Sequence, residues 1–560
     1  MKRVLSLIIA VALVLACAAP AFAGHECDCG NAPILVISGM GGSPMILDEG
    51  TENEKSAFPP EIDMASLVSA IVKGIALGSL YKDWNKFADA VIPAAYDIFD
   101  PIACNPDGTS KYNISVEKFN TSMEFYPCIT GEEENSPYSD GNEYALLRRA
   151  SEAIGADHVY FFNYDWRLDP FDHAAEINEL IQQIKRETGH DKVTLAPCSM
   201  GGAPTMAYLS AYGTDDVAGC VFLSTVFYGT RIASDLFSNK INFDPDCVTR
   251  YIAGISTGNE FLDALLEALI PAVNEAGLMG ALTDFLNNGV DEIKDKVYDE
   301  VFREIFATMP GLWATVDEDY YDGAKAFMLS KNVDSELIRK IDRYHNEVAL
   351  HRDDILLKAH EIGVKIVVLS NYNSACIPVY ESADMHSDAT LETQYMSAGA
   401  VCAKMDEALP EGYCQENTEC GHDHISPDNI IDASTCLFPE YTWFGKDWPH
   451  VCGKYDNGYC DFVMWLLTYR GQPTIHTNPD YPQFFGRSGD RIMNLETGEV
   501  LPLGFKLEPA ENQQTSDIAN TGSDNNKILS PETGAGSCAA GAVMLFALCL
   551  GGVSRKKREK

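Results

Sequence analysis

Basic side chains are scarce in this sequence. Its 560 residues hold 41 Lys and Arg against 82 Asp and Glu, a formal net charge of −41. Nucleic-acid binding requires neutralisation of phosphates, so this charge excludes DNA and RNA as partners. It also opposes electrostatic docking on an anionic membrane, so any lipid contact has to come from apolar surface. Apolar residues make up 46% of the chain, which is enough for a large folded core.

Metal-binding cysteine pairs and internal repeats are also missing. No C-x-x-C pair occurs, and Cys27-Asp28-Cys29 is spaced more tightly than the usual ligands of structural zinc. The segment His422-Asp423-His424 offers metal ligands. Three adjacent residues do not easily share one ligand geometry, however, and the alternative for this segment is an exposed loop. We therefore predict neither a metal site nor a cofactor.

The first 23 residues have the pattern of an export signal. Lys2 and Arg3 precede an apolar run from Val4 to Cys17, and Ala21-Phe22-Ala23 supplies a cleavage site of small residues. An uncleaved anchor or lipidation at Cys17 are the alternatives, but the apolar run is short for a membrane span. The sequence predicts a secreted protein.

The other end of the chain, 530–560, has the pattern of a second targeting signal. Ser530-Pro531-Glu532-Thr533-Gly534 is followed by an apolar stretch from Cys538 to Val553 and by a basic tail. This order resembles the LPxTG-like sorting signals of Gram-positive surface proteins. The resemblance implies that a sortase cuts after Thr533 and joins it to cell-wall peptidoglycan. A C-terminal membrane helix is the alternative, and the polar stretch 506–529 is predicted to be a flexible linker.

Cysteine number fits an exported protein. Of 17 cysteines, Cys17, Cys538 and Cys549 are removed with the two ends, which leaves an even number. We therefore predict several disulfides. The pairs Cys104 with Cys128 and Cys452 with Cys460 would close short loops, although sequence alone does not determine the pairing.

Between the two ends, residues 24–505 alternate between short apolar strands and amphipathic helices. Strands are predicted at 33–38, 158–162, 192–196, 220–224 and 365–370, with helices at 174–186 and 206–212. This order predicts an α/β fold, with a mostly parallel sheet covered by helices on both faces.

Two insertions interrupt the alternation, at about 51–144 and 231–350. The first contains an apolar helical stretch, Leu67 to Leu80. The second is helical, with apolar residues at helical spacing from Val290 to Phe306. These helices either complete the packing of the core or form a cap over an apolar substrate channel.

Ser199 lies in a sharp turn between a predicted strand and a predicted helix. The sharp turn exposes the hydroxyl, and Gly201, two residues later, lets the helix approach closely. Pro197 stands where the G-x-S-x-G pattern has its first glycine. An upstream glycine turn, 39–42, can supply a second backbone N–H to an oxyanion. This context predicts a nucleophile elbow.

Three blocks resemble the lecithin:cholesterol acyltransferase family, which includes a lysosomal phospholipase and the phospholipid:diacylglycerol acyltransferases. They are Pro33 to Ser43, the Y-D-W-R-L block from Tyr164 to Leu168, and Pro197 to Gly201. Plant acyltransferases of this family also carry Pro at the position of Pro197, whereas Cys198 replaces the usual His. The resemblance implies an α/β-hydrolase fold and a Ser-Asp-His triad in that chain order.

The resemblance also directs the search for the acid and the base. After the strand at 365–370, His386-Ser387-Asp388-Ala389-Thr390-Leu391 resembles the S-D-G-T-V turn of lipases, which favours Asp388 over Asp384. Either acid could also be a solvated loop residue. Four histidines lie downstream, and His450 precedes a helix at 461–466, where the triad histidine of these enzymes sits.

These residues predict an extracellular enzyme that cleaves lipid esters. Ser199 is the nucleophile, His450 the base and Asp388 its orienting acid, with the backbone N–H groups of Met200 and, by resemblance, Met40 as the oxyanion hole. An acyltransferase with the same triad and a binding module on an inactive scaffold are the alternatives. Asp165, Trp166 and Arg167 either contact the acyl chain or form a buried ion pair with a packing aromatic residue.

Overall fold

The computed structural model describes residues 27, 29–60, 83–130, 144–254, 269–329, 334–418 and 421–504. The predicted export signal, linker and sorting signal, with Thr533, lie outside these ranges, as does the predicted helix from Leu67 to Leu80. None of the helices within the described ranges is long and apolar enough to cross a membrane.

The strands follow one another along the described chain as short segments. They are β1 Ile34–Ile37, β2 Met45–Leu47, β3 Lys55–Phe58, β4 Ile114–Val116, β5 Val159–Phe162, β6 Val193–Pro197, β7 Val217–Leu223, β8 Lys365–Tyr372, β9 Val401–Cys402, β10 Ile431–Asp432, β11 Thr442–Lys446, β12 Phe484–Ser488 and β13 Arg491–Asn494.

Eight of these strands form one sheet in the order β13-β12-β11-β8-β7-β6-β1-β5. All neighbours are parallel except β13, which pairs antiparallel with β12. Every residue of β1, β5, β6 and β8 is buried. Parallel strands covered on both faces are expected to be continuously apolar, and this explains the runs seen in the sequence.

Helices cover both faces of the sheet. They are α1 Trp84–Phe99, α2 Pro127–Thr130, α3 Ala145–Ile154, α4 Pro170–Thr188, α5 Gly202–Tyr212, α6 Arg231–Phe237, α7 Pro245–Ala253, α8 Leu278–Val297, α9 Pro310–Trp313, α10 Glu318–Met328, α11 Ser335–Glu347, α12 Arg352–Glu361, α13 Thr393–Met396 and α14 Gly458–Thr468. A π-helical segment, Tyr298–Phe306, continues α8.

Alternate residues of the central strands belong to two different hydrophobic cores. Leu35 and Ile37 of β1 pack in the larger core with α4 and α5. Ile34 and Val36 pack in the second core with α3 and α14. Successive side chains of a strand point to opposite faces, so the sheet lies between two helical layers. The predicted α/β class, with a mostly parallel sheet and helices on both faces, is confirmed.

The two insertions pack against each other. Residues 51–144 contribute β3, α1 and β4, and β3 and β4 flank β2 in a separate antiparallel sheet. Residues 231–350 contribute α6 to α11, and α1 packs against α8 and its π-helical continuation. The predicted helical run from Val290 to Phe306 is confirmed.

The cysteines differ from the prediction of several disulfides. No disulfide joins two of the cysteines within the described ranges, and neither Cys104 with Cys128 nor Cys452 with Cys460 is bonded. Cys220 is buried in the larger hydrophobic core and Cys452 in the second. Buried single cysteines act as small apolar residues, and counting cysteines does not distinguish that role from pairing.

Candidate active site

Ser199 occupies a strained turn between β6 and α5. Its backbone φ of +51° lies in the left-handed region, which non-glycine residues rarely adopt. A side chain at Gly201 would place its Cβ 2.7 Å from the Ile37 carbonyl oxygen and 2.8 Å from that of Ser38. Glycine is therefore required there for the turn to pack against the end of β1. Pro197 ends β6 in register with Ile37, so proline is accommodated before the turn.

Ser199, His450 and Asp388 form one hydrogen-bonded chain. The Nε2 atom of His450 lies 2.8 Å from the Ser199 hydroxyl oxygen, and its Nδ1 atom lies 2.6 Å from Oδ2 of Asp388. Ser199 is 3% exposed and Asp388 is fully buried. The geometry provides a nucleophile, a base and a group that orients the base.

The Asp388 carboxylate is held by its own loop. Its Oδ1 atom accepts hydrogen bonds from the backbone N–H groups of Thr390 at 3.0 Å and Leu391 at 2.8 Å. Ala389, between Asp388 and Thr390, has a φ of +73°, at the position where the lipase turn has glycine. The other candidate acid, Asp384, forms an ion pair with Lys404 at 2.6 Å. The structure thus brings Asp388, rather than Asp384, to His450.

The loop that carries His450 is tied to the end of β8 by Asn371. The Asn371 side chain donates to the Pro449 carbonyl at 3.2 Å and accepts from the Tyr459 hydroxyl at 2.9 Å. Val451, next to His450, has a φ of +48°. The sequence analysis missed Asn371, because a polar residue at the end of an apolar strand does not by itself indicate its partner.

All three residues follow the carboxyl ends of parallel strands, Ser199 after β6, Asp388 after β8 and His450 after β11. The chain runs from β1 outward to β5 and then returns to place β6 on the other side of β1. Ligands of open parallel sheets bind in the crevice at such a reversal of strand order. Ser199 stands at this crevice.

Two short 3-10 turns meet beside Ser199. Met40–Gly42 follows β1 and Ser199–Gly201 follows β6, and the two turns are in contact. Met40 and Met200 both line the cavity into which Ser199 opens. The thiol of the adjacent Cys198 is buried, and burial raises its pKa to about 11. It therefore stays protonated near neutral pH and is not a competing nucleophile.

An apolar cavity of about 140 Å³, partly open to solvent, adjoins Ser199. The first insertion contributes Phe58, Phe99 and Ile102 to its wall. The second contributes residues of α6, the π-helical segment and α9. Of the described residues that line it, none carries a charge, and the polar ones are Ser199 and three threonines. Helices of both insertions therefore pack in the core and also wall the space above the nucleophile.

The residues of the Y-D-W-R block have two different roles: Trp166 lines the cavity, whereas Asp165 and Arg167 form a structural ion pair. Trp166 lines the cavity and packs edge-to-face on Phe58, with ring centres 5.1 Å apart. Arg167 is fully buried and donates to both oxygens of Asp165, at 2.8 and 2.6 Å. It also donates to the Ile102 carbonyl at 2.8 Å and to the Ser110 hydroxyl at 2.8 Å. Asp165 and Arg167 are not among the residues that line the cavity; they brace the first insertion.

A buried carboxylate joins the acid loop to the cavity wall. Glu392 is fully buried and accepts from the backbone N–H groups of Arg231 at 3.1 Å and Ile232 at 3.2 Å, in the first turn of α6. The Tyr380 hydroxyl donates to it at 2.8 Å. Burial raises the pKa of Glu392 against these hydrogen bonds. No sequence pattern indicated this residue, because its partners are remote in the chain.

The remaining histidines near the C-terminal end of the domain lie apart from the triad. His422 is exposed and lies 3.0 Å from a Glu440 carboxylate oxygen and 3.1 Å from Nε2 of His476. The expectation of an exposed loop is wrong for His424, which is fully buried with its Nδ1 atom 2.8 Å from the side-chain oxygen of Gln483.

Comparison with known proteins gives a match among solved structures alone. No family model matches it, and no curated protein matches it. Among solved structures it is similar to a chain in the crystal structure of the Tle4-Tli4 complex, at 12% identity and a TM-score of 0.25. That match covers 61% of this chain and 75% of the other. A likeness at this TM-score carries no argument about function.

Proposed function

We propose that this protein is a serine hydrolase of the α/β-hydrolase type that cleaves carboxylic esters of lipids. One observation carries the proposal: the hydrogen-bonded chain of Ser199, His450 and Asp388 at the edge of an apolar cavity. The strand order and the placement of the three residues after β6, β8 and β11 fit that fold.

The proposed reaction follows from the roles of the three groups. The Ser199 oxygen attacks the ester carbonyl carbon while Nε2 of His450 takes the hydroxyl proton. The tetrahedral intermediate collapses, the bond to the alcohol oxygen breaks, and His450 returns the proton to the leaving alcohol. Water then attacks the acyl-enzyme by the same route and releases the acid. Asp388 holds the imidazole in the required tautomer and stabilises its protonated form.

The developing oxyanion requires donors at fixed positions. We assign this role to the backbone N–H groups of Met40 and Met200, which belong to the two turns in contact beside Ser199. In comparable sites one such donor contributes ~3 kcal/mol to transition-state stabilisation.

The cavity wall supports a lipid substrate. An acyl chain in an apolar pocket gains about 0.8 kcal/mol for each buried methylene group. The absence of charge among the described lining residues leaves the ester group itself as the polar point of recognition. Besides Ser199 and the three threonines, the indole of Trp166 brings one N–H donor to the described part of the wall.

The resemblance to the lecithin:cholesterol acyltransferase family remains a proposal, supported by the Y-D-W-R block and the elbow. Export and sortase attachment at Thr533 are likewise proposals that rest on the sequence of the two ends. Together they describe an esterase displayed at the outer surface of a cell wall.

Labelling by a serine-directed fluorophosphonate tests the proposed function. The purified full chain is reacted, digested and mapped by mass spectrometry beside Ser199→Ala, His450→Ala and the control Ser210→Ala, whose half-buried serine lies near the end of α5. We expect the label on Ser199 alone, its loss in the first two variants and its retention in the control. A folded protein that stays unlabelled in the presence of lipid would contradict the proposal and favour a binding role.

Lipid products then separate hydrolysis from acyl transfer. Vesicles of phosphatidylcholine with and without a long-chain alcohol are incubated with the labelling-competent protein. Free fatty acid as the main product in both supports the hydrolase, whereas a new ester of the added alcohol would assign the acyltransferase alternative.

A further inference from the structure

Four metal-ligating side chains converge at the edge of the sheet opposite the candidate active site. They are Cys27, Cys29, His158 and His190, and one ligand atom from each lies within 4.8 Å of all the others. Cys27 and Cys29 precede β1, His158 directly precedes β5, and His190 lies between α4 and β6. The cluster therefore stands at the amino ends of three adjacent strands, while Ser199 stands at their carboxyl ends.

The separations fit tetrahedral zinc. Zinc binds sulfur at about 2.3 Å and imidazole nitrogen at about 2.0–2.1 Å, so a tetrahedron places sulfur and nitrogen about 3.6 Å apart. The Nε2 atom of His158 lies 3.6 Å from the Cys27 sulfur and 3.9 Å from the Cys29 sulfur. The Cys29 sulfur lies 3.3 Å from Nε2 of His190.

The surroundings hold the ligands in place. Oδ1 of Asp157 lies 3.0 Å from Nδ1 of His158, on the ring edge away from the sulfurs. Metal-binding histidines commonly present their second nitrogen to a carboxylate in this way. Gly189 caps α4 with a φ of +72°, which turns the chain to deliver His190, and its carbonyl accepts from the Cys27 backbone N–H at 3.5 Å.

We propose that Cys27, Cys29, His158 and His190 bind one zinc ion in a closed Cys2His2 site. Four protein ligands leave no open position, so the ion is structural: it ties the segment before β1 to the amino ends of β5 and β6. Binding displaces the two thiol protons to solvent. The sequence analysis rejected zinc because the two cysteines are spaced too tightly for a usual ligand pair. It could not show that the fold brings two histidines, His158 and His190, to the same place.

Metal content tests the proposal. The purified full chain is analysed by inductively coupled plasma mass spectrometry and by zinc-edge X-ray absorption. We expect about one tightly held zinc per chain, with two sulfur and two nitrogen ligands. Cys29→Ser and His190→Ala are expected to lose the ion, whereas His190→Cys, which keeps four ligands, retains it. Cys414→Ser and His476→Ala are the matched controls and are expected to retain it.

Two results would overturn the site. One is a zinc-free chain in which Cys27 and Cys29 are joined by a disulfide, as read from the mass of the unreduced peptide. The other is full zinc retention in the Cys29→Ser/His190→Ala double variant. Absorption spectra of the unsubstituted chain and of His190→Cys decide the question even where the other variants fail to fold. The proposed zinc site and the candidate active site lie at opposite ends of the strands. Labelling of Ser199 by the fluorophosphonate is therefore measured independently of zinc content, and the two proposals can fail separately.

Discussion

Replacement of Arg167 by methionine decides between the two roles of the Y-D-W-R block. The substitution removes two hydrogen bonds to Asp165 and leaves its carboxylate, which is 13% exposed, without its cation. It also removes the donors to the Ile102 carbonyl and the Ser110 hydroxyl. Breaking a buried ion pair from one side costs about 3–5 kcal/mol, a large part of the 5–15 kcal/mol that stabilises a typical domain.

The assay separates stability from substrate binding. Urea unfolding followed by tryptophan fluorescence gives the midpoint, and ester hydrolysis normalised to fluorophosphonate-labelled sites gives kcat and KM. We expect Arg167→Met to lower the midpoint strongly, with KM unchanged for the molecules that stay folded. The double variant Asp165→Asn/Arg167→Met should recover part of the midpoint, because no lone buried charge remains.

The opposite result would refute the structural role. If Arg167→Met leaves the unfolding midpoint within experimental error and raises KM tenfold or more for long-chain esters, the pair contacts the substrate. Trp166→Phe serves as a control for the cavity wall, since its indole lines the cavity and is expected to change ester preference more than stability.

Three further outcomes follow from the structure. Gly201→Ala should abolish labelling of Ser199 and destabilise the protein by about 1–3 kcal/mol in urea unfolding, because its Cβ would meet the Ile37 and Ser38 carbonyl oxygens; normal labelling would contradict the packing argument. Burial lowers the pKa of His386 to about 4, so its contribution to stability is complete above about pH 6.5 and falls by about 3 kcal/mol as pH drops toward 4. His386→Phe should flatten that part of the pH profile of unfolding, and an unchanged profile would assign the acid sensitivity elsewhere. Ala233→Leu, which narrows the cavity, should lower kcat/KM for long-chain esters more than for short ones, and an equal effect on both would show that the chain binds elsewhere.

Local sequence patterns predicted five of the eight strands of the main sheet and the turn that carries Ser199, but they did not predict β11, β12 and β13. A buried parallel strand requires a continuous apolar run, and the turn after β6 requires glycine at Gly201; both requirements act over a few residues and are visible in order along the chain. Asp388 and His450 were indicated by the resemblance to the lecithin:cholesterol acyltransferase family, and the tertiary structure brings both to Ser199.

Contacts between remote segments were decided by the tertiary structure. The cavity wall joins Phe58 and Phe302, the Glu392 carboxylate meets the start of α6, and His158 and His190 reach the two N-terminal cysteines. The number of cysteines likewise did not show whether each one is buried as a single thiol or paired in a disulfide. Such contacts depend on how whole layers pack, and a periodic pattern records only which face of an element is buried, not what lies against it.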